Sequence, residues 1–184
     1  MPERYWLNAE DERATYDLHE NVADDPGYRR FLSRLTTPLL EKLQPRQHGL
    51  DFGCGPGPTL SIILTEHGHH VELYDPFYAN NPSVLNTTYD FICATEVVDH
   101  LHDPDQVFTT LFKLVKQGGW LGIMTKLVSD HQAFSNWHYI RDLTHVCFYN
   151  RSTFVYLAQR FNAKLTFIGQ DVILFHTQEP NSGD

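Results

Sequence analysis

The stretch Leu50-Asp51-Phe52-Gly53-Cys54-Gly55-Pro56-Gly57 sets three glycines at alternate positions behind a short apolar run. Glycine lets a backbone approach a ligand closely and adopt positive φ. Asp75 closes the next apolar run, residues 71–74, where a carboxylate can accept the ribose hydroxyls of a nucleoside. A dinucleotide-binding GxGxxG needs glycine at the position held by Pro58, and a P-loop needs a Gly-Lys-Ser/Thr that is absent. The turn therefore suits a nucleoside without a pyrophosphate. The structural alternatives are a tight strand–helix turn with no ligand, and for Asp75 a cap or turn residue. A second constellation is Trp137-His138-Tyr139-Ile140-Arg141-Asp142-Leu143-Thr144-His145-Val146-Cys147-Phe148-Tyr149. Its aromatics, two histidines and one acid make an amphipathic wall for a small ring-bearing or acyl substrate. His138 and His145 are candidate general bases, because imidazole titrates near working pH. Asp142 is placed to orient one of them, as a carboxylate does in a triad. The alternative is a buried aromatic loop with hydrogen-bonded histidines.

The elements that would position these residues follow from periodicity. Asp25-Pro26 is a helix start, and Tyr28, Phe31, Leu32, Leu35, Leu39, Leu40 and Leu43 recur at helical spacing, with Pro38 placed to kink or divide the helix. Residues 49–52 read as a strand, 59–67 as a helix, 71–74 as a strand and 77–88 as an Asn/Pro-rich loop. Residues 89–95 form a continuous apolar run, as expected for a strand covered on both faces. Asp103-Pro104 starts another helix that Gly118-Gly119 stops; residues 120–125 are a strand and 151–161 a helix capped by Asn150. Residues 165–168 and 172–175 flank Gly169-Gln170-Asp171 as an antiparallel hairpin. Strands alternating with helices predict a doubly wound α/β fold, mostly parallel, which binds ligands at the carboxyl ends of its strands.

The 184 residues fit one domain. Fourteen Lys and Arg against 23 Asp and Glu leave a net charge of −9. That balance argues against nucleic-acid binding and against docking on anionic lipid. No apolar run approaches the roughly 20 residues that span a bilayer, and no secretory h-region is visible. Three widely spaced cysteines, none in a CxxC pair, fit reduced thiols and a cytoplasmic location.

The DxGxGxG turn, the acid after the second strand and the YDFICATEV run resemble class I S-adenosylmethionine-dependent methyltransferases. The segment Thr95-Glu96-Val97-Val98-Asp99-His100-Leu101-His102-Asp103-Pro104 resembles the EVLEHLPDP signature of the polyprenyl-benzoquinol O-methyltransferase-like branch, and Val115-Lys116-Gln117-Gly118-Gly119-Trp120-Leu121 resembles its LKPGGxL element. The 137–149 cluster and Tyr16-Asp17-Leu18-His19-Glu20-Asn21 resemble a small bacterial subgroup of uncharacterised methyltransferases. The resemblance covers residues 39–175 and implies a Rossmann-like methyltransferase fold with an antiparallel C-terminal hairpin. It divides the chain into an N-terminal helical lid (1–45), an S-adenosylmethionine-binding domain (46–178) and a flexible tail (179–184).

The resemblance also implies roles. Asp51 meets the methionine ammonium; Gly53, Cys54, Gly55 and Gly57 line the cofactor; Asp75 holds the ribose; Pro76 and Phe77 flank the adenine; Thr95 and Glu96 lie near the sulfonium. Glu96, Asp99 and His100 are the expected ligands of a divalent, oxygen-preferring metal, which would acidify a bound hydroxyl. Their alternative is a loop-orienting acid and the opening of a helix. His19 and Glu20 are offered as a lid group that reaches the histidine wall and forms a second metal site, or as a solvated acidic face. One departure stands out: only residues 76–88 separate the ribose acid from the next strand, so the family's third strand is expected to be vestigial, at Val84-Leu85.

The reaction expected is methyl transfer to a small molecule, at oxygen, with a homodimer allowed. Two rival readings are a non-catalytic binding subunit with this fold, which the short 76–88 segment favours, and a nicotinamide oxidoreductase, which Pro58 opposes.

Overall fold

The computed structural model describes residues 1–18, 21–128, 134 and 137–178. A six-stranded sheet is formed by β1 (His48–Phe52), β2 (His70–Tyr74), β3 (Tyr89–Thr95), β4 (Val115–Met124), β5 (Ala163–Ile168) and β6 (Val172–Thr177), in the order β2-β1-β3-β4-β6-β5. The first four strands are mutually parallel; β6 runs antiparallel to β4 and to β5. The α-helices among the described residues are α1 (Ala9–Tyr16), α2 (Pro26–Leu40), α3 (Thr59–Glu66), α4 (Pro104–Leu114) and α5 (Arg151–Arg160). This is the doubly wound, mostly parallel α/β architecture that the alternation of elements predicts.

Strand side chains alternate between faces, and each face has its own core. Ile92, Ala94, Leu121 and Ile123 pack on one side with Phe108 and Leu111 of α4 and Phe154 of α5. Phe91, Cys93 and Leu174 pack on the other with Leu32, Leu35 and Leu39 of α2 and Leu64 of α3. Helix α2 thus belongs to the helical layer over the sheet, although the expected lid segment 1–45 includes it; α1 buries no residue. The Asp25 side chain accepts the Gly27 N–H at the start of α2, and the helix runs undivided through Pro38.

Two local readings change. Gly118-Gly119 does not stop a helix: α4 ends at Leu114 and the chain passes directly into β4. The pairing shifts register there, between Tyr89 and Phe91, with Gly118 at φ 70°. The two glycines serve an irregularity of the strand rather than a helix end. Val84-Leu85 is not a strand remnant but part of a 3-10 turn, Pro82–Asn86. Val84 is buried, and its carbonyl accepts the Tyr89 hydroxyl at 2.7 Å, so the turn plugs the core beside β2 without adding to the sheet. None of the three cysteines is paired, and no described helix is long and apolar enough to cross a membrane.

The parallel pairing of β1 with β3 depends on Gly49, which lies opposite Phe91; a Cβ there would fall 2.1 Å from the ring. Gly49→Ala is expected to destabilise the protein by about 1–3 kcal/mol through overpacking. Urea unfolding checks this; an unchanged midpoint would contradict the placement of the ring.

Candidate functional site

The carboxyl ends of β1, β2 and β3 open onto one cavity of about 690 Å³. Where β1 ends, Gly53 turns at φ 75° with Val97 packed where its Cβ would be, so only glycine fits. The Gly53 N–H donates to the Tyr74 carbonyl at 2.7 Å, which holds the turn against β2. Gly55, at φ 64°, faces open space: a Cβ there would meet nothing nearer than Asn21 Nδ2 at 3.7 Å. Gly57 is packed against the Asn21 backbone. Gly55 is therefore where a ligand can reach the backbone.

Asp75 holds this turn in shape. Its Oδ2 accepts the Gly55 N–H at 3.0 Å, and its Oδ1 accepts those of Phe77 and Tyr78 at 2.8 and 3.1 Å. Of the roughly four acceptor positions on a carboxylate, one on Oδ2 is left for a ligand. Asp51 lies behind the turn, almost wholly buried. Burial pushes its pKa from 3.8 up to about 7; a Ser61 backbone hydrogen bond opposes this and the Asp75 charge adds to it. The Thr95 hydroxyl is buried at the cavity wall with no hydrogen-bond partner among the described residues. A buried carboxylate without a cation, an unpartnered hydroxyl and an open glycine fit a ligand that brings an ammonium and hydroxyl groups. Cys54, Pro76 and Phe77 line the same cavity, and burial, with Asp51 and Asp75, pushes the Cys54 thiol up to about 12.

The far wall is built on Asp99, which is fully buried. Its Oδ2 accepts the Tyr139 hydroxyl at 2.6 Å and lies 3.0 Å from His145 Nε2 and 3.3 Å from His100 Nε2. The second nitrogen of each ring is engaged by backbone: His145 Nδ1 donates to the Tyr139 carbonyl at 2.7 Å and His100 Nδ1 to that of Thr144 at 3.1 Å. Burial alone would raise Asp99, but His145, His100 and Tyr139 together hold it below the usual carboxylate range. Burial works against charge on His145, yet the Asp99 hydrogen bond and the Tyr139 carbonyl keep its pKa above 6.5. Burial holds His100 below 6.5, so its contact with Asp99 is not an ion pair at neutral pH.

Glu96 stands between the two walls. It sits at φ 51°, an unusual conformation for a side-chain-bearing residue, and its N–H donates to the Met124 carbonyl at 2.8 Å. Its Oε2 accepts the Tyr139 hydroxyl at 3.1 Å. Burial first, and then the Asp99 charge, push its pKa from 4.5 to about 7.

The structure brings Asp51, Gly53, Cys54, Gly55, Gly57, Asp75, Pro76, Phe77, Thr95 and Glu96 to one cavity, together with His100, Asp142 and His145. His138 is exposed, bonds to Lys126 Nζ at 3.1 Å and does not line the cavity. Asp142 accepts the Thr144 N–H and hydroxyl on Oδ1, with Oδ2 3.8 Å from His145 Nε2, and so shapes the loop more than it orients the ring. The expected metal set divides: Asp99 and His100 group with His145, their donor atoms all within 4.8 Å, and Glu96 is not in that group. His19, Glu20 and the tail 179–184 lie outside the described residues.

Two tyrosines were not anticipated as site residues. Tyr139 joins Glu96 to Asp99; its place within the aromatic cluster was the only signal. Tyr16 of α1 packs edge-on to His100 at 5.3 Å and tilts against Phe77 at 5.9 Å, closing the cavity from the N-terminal side.

Comparison with known proteins agrees with this geometry. A family model described as a methyltransferase domain matches residues 25–166. An O-methyltransferase from Pyrenophora dematioidea is 24% identical over 73% of this chain, which spans 57% of that relative's length. An O-methyltransferase family protein from Burkholderia thailandensis superposes with a TM-score of 0.63 at 14% identity, over 97% of this chain and 63% of that one. Magnesium protoporphyrin IX methyltransferase from Synechocystis PCC 6803, solved with bound S-adenosylhomocysteine, gives 0.62 at 11% identity, over 92% and 94%. The distant structures speak to the fold alone. With the family match covering both the glycine turn and the Asp99 wall, the chain belongs to the methyltransferase domain family.

Proposed function

We propose that this enzyme methylates a hydroxyl oxygen of a small molecule, with Glu96 as the general base. The observation that carries the reading is the continuity of one cavity, from Gly55 and Asp75 on the cofactor side to Glu96, His100 and His145 on the other. Its volume lies in the range of small-molecule sites. Asp51 is the group for the methionine ammonium, Thr95 and Asp75 offer polar partners to the rest of the cofactor, and Phe77 gives it an apolar side.

S-adenosylmethionine, when bound, supplies a methyl group that an oxygen nucleophile can take. The chain's own residues position the acceptor and remove its proton. A hydroxyl is a poor nucleophile until deprotonated, and a base with a pKa near 7 suits that task. Glu96 has that property and faces the cavity; the O–H proton passes to its carboxylate as the new carbon–oxygen bond forms. His145 is not assigned this role, because both of its nitrogens are engaged. His138 is not assigned it, because it stands outside the cavity. The name of the Pyrenophora dematioidea relative supports oxygen as the acceptor atom. Asp51, Gly55, Asp75 and Glu96, all set in one cavity, weigh against the non-catalytic alternative that the short 76–88 segment favours.

Binding of S-adenosylhomocysteine is expected to depend on Asp51. Below pH 7 the buried carboxyl is protonated and offers the ligand's ammonium no charge; above it the carboxylate is available. Calorimetric titration is expected to show affinity about tenfold higher at pH 8 than at pH 6, and Asp51→Asn is expected to weaken binding and flatten the profile. The ligand-free protein carries the opposite sign. A carboxyl whose pKa rises from 3.8 to about 7 on folding loses stability as pH climbs through that window. Asp51→Asn is therefore expected to melt higher than the wild type at pH 8 without ligand. An unchanged profile in the variant would contradict the role of Asp51.

With an acceptor found by screening small hydroxy compounds for S-adenosylhomocysteine release, Glu96→Gln is expected to lower kcat by about 100-fold or more. Its affinity for S-adenosylhomocysteine is expected to stay close to that of the wild type. Wild-type turnover in this variant would remove Glu96 as the base.

A further inference from the structure

We infer that Asp99, His100 and His145 form a binding site for one divalent transition-metal ion of the zinc class, opening onto the cavity. The inference deepens the proposed function by placing the ion beside the acceptor, and metal binding can be measured without any turnover.

Geometry is the first support. His145 Nε2 and His100 Nε2 lie 3.0 and 3.3 Å from the same oxygen, Asp99 Oδ2. Ligands about 2.0–2.1 Å from a tetrahedral ion stand about 3.3 Å apart, so this is the spacing of neighbours in a coordination shell. The second support is the commitment of the outer nitrogens. Each Nδ1 faces a backbone carbonyl, Tyr139 for His145 and Thr144 for His100, and so carries the proton. That leaves both Nε2 atoms as the positions aimed at Asp99. Metal-binding histidines are oriented in this way by outer hydrogen bonds.

The third support is convergence on one buried oxygen. Asp99 Oδ2 also takes the Tyr139 hydroxyl at 2.6 Å, so a phenol and two ring nitrogens meet at a single atom. The two rings lie 4.7 Å apart, centre to centre, in a largely buried place. One ion bound by both Nε2 atoms and the carboxylate would hold all three side chains at this spacing.

Two imidazoles and one carboxylate select zinc or a neighbouring transition metal rather than magnesium, which prefers oxygen. His100 and His145 line the cavity, so a coordination position is left toward it, as in sites that bind a substrate oxygen. Glu96 stays outside the set, with its carboxylate bonded to Tyr139.

A second group, His48, His70 and Glu72, lies at the opposite ends of β1 and β2. The test therefore uses full-length protein carrying His48→Ala and His70→Ala, stripped with EDTA and dialysed. Zinc is titrated in competition with a chromophoric chelator, and Co²⁺ is added separately to read its visible absorption. The expected result is one tight equivalent of zinc, with a Co²⁺ band characteristic of four or five ligands. His100→Ala and His145→Ala are each expected to weaken binding by more than about 100-fold, beyond the usual cost of outer-shell changes. Glu96→Gln is expected to leave it within a few-fold. Circular dichroism on the same samples shows whether each variant is folded, calorimetry with S-adenosylhomocysteine reads cofactor binding separately, and His100→Gln and His145→Gln replace any variant that is not folded. No tight equivalent, unchanged affinity in either histidine variant, displacement by equimolar Mg²⁺, or a loss confined to Glu96→Gln would each overturn the site. Cofactor binding without metal binding overturns this inference alone; metal binding without cofactor binding leaves it standing and overturns the proposed function.

Discussion

A carboxylate cannot stay ionised in an apolar interior without donors, and Asp99 is fully buried. Its side chain draws in Tyr139, His145 and His100. Its main-chain carbonyl accepts the N–H groups of Val146 and Cys147, both at 2.9 Å. The Tyr149 hydroxyl donates to the carbonyl of Val98 next to it. Apart from the short turn at His138–Arg141, residues 137–149, which carry these groups, have little regular structure. It is held over the carboxyl end of the sheet because a buried charge there must be satisfied. The placement of Glu96, opposite the cofactor side, depends on the same knot through Tyr139.

The cofactor side is organised by the same logic with the sign reversed. Asp75 spends most of its acceptor capacity on backbone N–H groups and thereby shapes the turn. Asp51 and Glu96 have no such set of donors, and burial raises both toward neutrality. Carboxyls raised in this way are ones that a bound cation or donor can relieve, and perturbed carboxyls gather at functional sites for that reason. Glu96 adds a left-handed backbone conformation to its raised pKa.

Much of this was legible in the chain itself. The alternating glycines, with Asp51 before them and Asp75 after the next strand, are local features of a strand–helix turn, and local patterns survive without tertiary information. The order of strands and helices was readable for the same reason. What was not readable depends on contacts between distant segments. His145 joins Asp99 across 46 residues, while Glu96, only three residues away, is turned toward Tyr139; spacing within one segment could not separate these cases. His138 and His145 look alike in sequence, and only the path of the loop puts one outside and the other inside. Gly118-Gly119 signals a break in regular structure but not its kind, and here the break is a strand irregularity. Val84-Leu85 has strand composition, but Val84 turns into the core and its carbonyl takes the Tyr89 hydroxyl, contacts that its own segment does not announce.

The most direct test is a crystal structure of the protein with S-adenosylhomocysteine. The account predicts the ligand in the cavity along residues 51–55, its ammonium paired with Asp51, a ribose hydroxyl on Asp75 and the Thr95 hydroxyl partnered. Ligand density elsewhere, or none at saturating concentration with the cavity intact, would contradict it.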